Sequence, residues 1–258
     1  MASPQLRIRR MADVWLPAPL LIIAAVGWWW SAHMAADMSG TMGSGSDGMS
    51  MGAGTTMSFL AFVGAWVAMM AAMMLPAIMP AVRLYERAAA RGTVAPVAVF
   101  VAGYLVVWSA VGVPAYFAWR ALRQPLADAA PWAGRLAGVI VVTAAIYQVT
   151  PLKTVCLRHC RSPMSFFLRH GKNLSRPSGA VRAGARHGLY CLGCCWLLMA
   201  ILISFGTMQI AVMVAVAVLI LLEKDAPFGE TLARIAAAGF LVLGVTLLAY
   251  PSLIGHIA

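Results

Sequence analysis

Three cysteines stand within five residues in YCLGCCWLLM (Tyr190 to Met199), at the head of a strongly apolar run. Cys191, Cys194 and Cys195 fall at i, i+3 and i+4, so a helix places them on one face. The chain has 5 cysteines. The other two, Cys156 and Cys160, are four apart and share a face if their segment is helical. The pair reads as lying just past the inner end of one apolar span, and the trio in the first two turns of the next. Both groups therefore sit at one depth and can meet. Thiolate is the form that binds metal and exchanges disulfides, and Lys153, Arg158, His159 and Arg161 surround the pair with positive charge. Clustered soft thiolates suit Cu(I) or Zn(II), and an iron–sulfur centre less well. His159 and His187 are candidate additional ligands. A lone cysteine is most simply a small packing residue. Five that converge on one depth argue instead for metal or redox chemistry.

Methionine carries the second pattern, with 17 in the chain. Met34, Met38, Met42, Met49 and Met51 lie in a Gly/Ser/Thr-rich stretch, where no core exists for them to fill. Thioethers spaced along a flexible strand can gather around a soft ion such as Cu(I). A low-complexity tether is the plain alternative. In AWVAMMAAMMLPAIMP, Met69, Met70, Met73 and Met74 cover an arc of about 140° on a helix, which is one thioether face. Such a face serves as a relay for a soft ion or as ordinary packing. Pro76 and Pro80 should kink this helix or open its inner end.

These residues must be held by helices in lipid. The chain is 62% hydrophobic with a mean hydropathy of +0.84 over 258 residues, well above the roughly half-apolar usage of soluble domains. Several stretches approach the ~20 residues that cross a bilayer. The fold class is an all-α, polytopic transmembrane helical bundle of about seven spans, with six to eight as the range. They run roughly over 15–33, 58–82, 95–119, 132–150, 187–204, 208–222 and 233–253. Residues 1–57 form an anchor helix and a Met-rich outer loop, and 58–258 a metal-binding membrane domain of about six helices. Residues 151–186 read as an inner loop whose later part is irregular and lies on the membrane surface.

The net charge of +11 sorts by side. With the N-terminus cytoplasmic, 16 of the 19 Lys and Arg residues fall on inner segments, eight of them within 151–186. This is the positive-inside bias of a multi-pass inner-membrane protein. The basic excess thus reports orientation and contact with anionic lipid, not nucleic acid. No phosphate-binding loop is present, which excludes nucleotide use of that kind. No hydrolytic triad or paired carboxylates are visible, and the reading is of a protein that is not an enzyme.

WVAMMAAMMLPAIMP (Trp66 to Pro80), YQVTPLKTVCLRHCRSP (Tyr147 to Pro163) and GLYCLGCCWLLM (Gly188 to Met199), with Glu223-Lys224, resemble a bacterial domain-of-unknown-function family labelled predicted metal-binding integral membrane protein, or membrane copper chaperone. The resemblance covers about residues 57 to 250 and implies metal handling in a membrane. The expected cargo is Cu(I), with zinc as the alternative. It would pass from the outer Met loop along the Met stripe to Cys156, Cys160, Cys191, Cys194 and Cys195, by transport or by delivery. The partner would be a copper-dependent membrane enzyme or a soluble metallochaperone. Two other readings stand beside this one: a membrane thiol-disulfide oxidoreductase, and an assembly or structural subunit of a larger membrane metalloenzyme.

Overall fold

The computed structural model describes residues 22, 24–29, 33, 58–89, 95–128, 130–162, 164, 167–168, 173–205 and 210–254. Among the described residues the architecture is carried by α1 Phe59–Ala77, α2 Met79–Ala89, α3 Val97–Ala127, α4 Pro131–Gln148, α5 Pro151–Arg161, α6 Pro177–Ser204, α7 Ile210–Asp225 and α8 Gly229–Ala249. A short 3-10 turn, Pro251–Leu253, follows. No strand occurs among the described residues. The Met-rich loop with Met34, Met38, Met42, Met49 and Met51, and most of the expected span 15–33, lie outside them.

Among the described residues four helices, α1, α3, α6 and α8, are long and apolar enough to cross a membrane. The α4–α5 pair makes a fifth if taken as one span bent by 67°. Helix α7, where a span was expected over 208–222, is described over the 16 residues Ile210–Asp225, a rise of about 24 Å, and residues 206–209 before it lie outside the described residues.

Local chemistry sets the breaks. Ser58 caps α1 by accepting from Ala61 N at 3.3 Å. At its other end Pro76 lacks an N–H, and the ring of Pro80 would strike the carbonyl four residues back. The helix stops at Ala77 and restarts at Met79, with Pro80 in the first turn, where no donor is needed. The bend between α4 and α5 has the same origin. Pro151 bars Thr150 from helical geometry, and the Thr150 hydroxyl caps α5 by accepting from Lys153 N at 3.4 Å.

From Pro177 on, the stretch expected to be irregular before span 187–204 is instead helix. α6 begins at Pro177 and runs unbroken for 28 residues. Basic residues made this part look like surface loop. Ala180, Ala183, Gly184, Gly188 and their neighbours form a face of small residues that packs against α3 in spite of Arg182 and Arg186. Cys191 therefore lies 14 residues into the helix, about 21 Å from its start.

Backbone contact holds α6 in place. A Cβ on Gly184 would run into the Phe100 carbonyl, and one on Gly103 into that of Val181. At Gly188 it would meet Val107 Cβ at 3.1 Å and Tyr104 O at 3.2 Å. Small residues at membrane helix contacts permit this close approach. Helices α4 and α8 pair in the same way through Gly138 and Gly244. Gly184→Val overpacks a backbone contact and should lower stability in detergent by at least about 1–3 kcal/mol, read as a lower thermal midpoint. Gly64→Ala, where an added methyl meets nothing within 4 Å, should leave the midpoint unchanged or higher. Equal responses of the two variants would refute the packing account.

Candidate metal centre

The α6 helix brings its three thiols together. One donor atom from each of Cys191, Cys194 and Cys195 lies within 4.8 Å of the others, and all three residues are buried. The Cys194 and Cys195 thiols both donate to the Cys191 carbonyl at 3.0 Å. Those bonds to the preceding turn hold the two sulfurs on the side of the helix that faces the core.

Helix α5 supplies the remaining cysteines and packs across α6. A Cβ on Gly193 would stand 2.7 Å from Cys156 Sγ, so glycine there lets this sulfur lie against α6 beside Cys194. Cys160 reaches the Cys194 side chain. Both α5 cysteines are half-buried, whereas the trio is closed off from solvent. The Tyr147 hydroxyl donates to Gly193 O at 2.5 Å and fastens α4 to the same turn.

Charge is concentrated around the thiols. Lys224 on α7 is 4% exposed and donates to Cys191 Sγ at 3.0 Å. The Tyr104 hydroxyl reaches the same sulfur from α3, also at 3.0 Å. The preceding residue, Glu223, points to a different neighbour. Its carboxylate receives Lys153 Nζ at 2.7 Å and Gln148 Nε2 at 2.8 Å, locking the α4–α5 elbow onto α7. Arg161 closes the end of α7 by donating to Ala226 O at 2.6 Å, a favourable place for a cation. This corner thus buries two ammonium groups and one carboxylate, and the second ammonium is partnered by sulfur.

The other sequence-derived candidates fall around this centre. Met69, Met70, Met73 and Met74 are all buried, so the thioether arc faces the protein interior and not lipid. It belongs to the same continuous core as the trio, because α1 and α6 both pack on α3 and α7. His187 is buried one turn before Cys191, its ring beside those of Phe100 and Tyr104. His159 stacks on Tyr190 with centroids 4.3 Å apart and planes 3° from parallel, while its Nδ1 donates to Val155 O at 2.8 Å. Neither ring joins the gathered sulfurs. Sequence reading missed Tyr104, Gln148 and Tyr147 and gave Lys153 only a diffuse role. A glutamine closing an apolar helix and a lysine opening an amphipathic one were the available signals.

A model of the family PpoB2, described as copper chaperone, matches residues 63–247, which contain every thiol and every buried charge above. The chain belongs to this copper chaperone family. No curated protein and no solved structure matches it. In this copper chaperone family member the donor set consists of soft sulfur, which fits a monovalent copper ion.

The buried ion pair generates a test of the frame. Glu223→Ala strands the Lys153 ammonium and should cost about 3–5 kcal/mol, seen as a collapse of the melting midpoint in detergent. The double change Lys153→Met with Glu223→Leu removes both charges and should recover most of that loss. Equal destabilisation by the single and double changes would refute the pairing.

Proposed function

We propose that this protein binds Cu(I) at the Cys191, Cys194 and Cys195 sulfurs and hands it on as a membrane chaperone or transporter, without catalysing a reaction. The observation that carries this reading is the buried sulfur trio with an ammonium at its edge. Cu(I) held by two thiolates carries one negative charge, as does Zn(II) held by three. Lys224 balances that charge in a medium where an unpaired ion is costly. The soft donor set, the buried thioether face and the family membership favour Cu(I) over Zn(II).

Cys156 and Cys160 flank the inner site in this reading, beside the trio that holds the ion. Met69, Met70, Met73 and Met74 serve as a relay through the membrane, and Met34, Met38, Met42, Met49 and Met51 capture the ion outside. His159 and His187 border the site as reserve ligands. The chain divides into an anchor with Met-rich loop, 1–57, and a metal-binding domain, 58–258. It spans the inner membrane about seven times with its N-terminus in the cytoplasm, as its basic segments favour. The recipient is a copper-dependent membrane enzyme or a soluble metallochaperone.

Thioethers bind Cu(I) with no proton to lose, whereas disulfide exchange has no use for them. Replacing Cys191, Cys194 and Cys195 together by serine should abolish stoichiometric Cu(I) binding while the protein still inserts and accumulates. Met70→Leu with Met73→Leu keeps volume and apolarity nearly constant. That variant should bind copper normally yet move it more slowly across reconstituted vesicles. Unchanged copper content in the serine variant would overturn the site. A parental transfer rate in the leucine variant would reduce the stripe to packing. A thiol oxidoreductase would lose function in the first variant and be indifferent to the second.

A further inference from the structure

The five thiols are not equivalent. The trio is sealed on its Cys191 side, where Tyr104 and Lys224 both sit on the sulfur at 3.0 Å and His187 lies one turn back, fully buried. On its other side the sulfurs continue outward. Cys194 meets Cys160, and Gly193 opens the space that Cys156 Sγ occupies. Both α5 cysteines are partly exposed residues, whereas the trio is buried. They ride on a short helix set at 67° to α4, with Arg158 exposed between them.

We propose that Cys156 and Cys160 are an exchange port, the route by which Cu(I) passes between the buried trio and an incoming thiol or chelator, and that they are dispensable for holding it. The inference rests on the trio being the Cu(I) site. A buried ion has no direct access to a water-soluble acceptor, so ligand exchange must proceed through a sulfur that touches both environments. Cys160 does so. In the transfer step a copper–sulfur bond to Cys160 forms as the bond to Cys194 breaks. The Cys160 proton moves to the departing Cys194 sulfur, and copper stays Cu(I) throughout. No electron is exchanged, and the charge of the site is the same before and after. Cys156 beside it offers the second sulfur of a two-coordinate Cu(I) intermediate, from which the acceptor takes the ion by the same kind of exchange. Gly193 matters because any side chain there would push the Cys156 sulfur out of the line.

The test separates holding from exchange. Full-length protein, loaded with Cu(I) anaerobically in detergent, is mixed with excess bathocuproine disulfonate, and the coloured Cu(I)–chelator complex is followed in time. The variant carrying Cys156→Ser and Cys160→Ser should contain as much copper as the parent and release it at least about ten-fold more slowly, a barrier increase of about 1.4 kcal/mol. Release at the parental rate would place the port elsewhere and overturn the proposal. Loss of copper from this variant would also overturn it, by making the pair obligatory ligands. A parent that takes up no copper would instead refute the reading of the trio. A second measurement needs no variant. A water-soluble maleimide applied to the loaded parent, with the modified peptides read by mass, should label Cys156 and Cys160 well before the trio. Equal labelling of all five would show that the buried sulfurs reach water directly, and the port would be unnecessary.

Discussion

A lysine ammonium held among apolar helices, 4% exposed and in contact with a cysteine sulfur, is the constraint around which the rest of this structure is arranged. An ammonium can only donate, and its burial is costly unless acceptors surround it. The buried carboxylate nearby, Glu223, is taken by Lys153 and Gln148. Lys224 therefore falls to the thiols. An apolar residue would pack more cheaply at this position, so the lysine is best understood through what it does for charge on sulfur. A metal–thiolate complex with one negative charge meets that demand, and neutral packing cysteines do not.

Positioning that contact requires four helices to close on one turn of α6. Glycines on the α3 side let Tyr104 approach, and Gly193 admits α5 on the other. The Glu223 pair fixes α7 with Lys224 one residue further on, about 100° around the helix. That angular step is why neighbouring residues of opposite charge reach different partners and do not neutralise one another. The proline-directed elbow between α4 and α5 turns the Cys156 and Cys160 segment across α6 where a straight span would have carried it away.

Much of the centre could be read from the chain because it is written in helical spacing. The i, i+3, i+4 cysteines predict a shared face, and they form one. The break after Ala77 follows from Pro76 and Pro80. The arc of Met69, Met70, Met73 and Met74 is visible as a period, although nothing in the sequence tells which way it faces. Residues 177–186 were misread because arginines dominate their hydropathy, while the signal that decides their structure is the four-residue spacing of Ala180, Gly184 and Gly188. Tyr104 and Gln148 were missed for a different reason. Their partners are 87 and 75 residues away, and a single sequence carries no trace of contacts at that separation.

The central claim is that sulfur alone, gathered on one turn of α6, holds copper in this protein. X-ray absorption at the copper edge of the full-length protein, purified anaerobically in detergent, tests it most directly. The account predicts a monovalent edge with a first shell of two or three sulfurs and no nitrogen or oxygen. A divalent edge, or a first shell of imidazole nitrogen and oxygen, would contradict it.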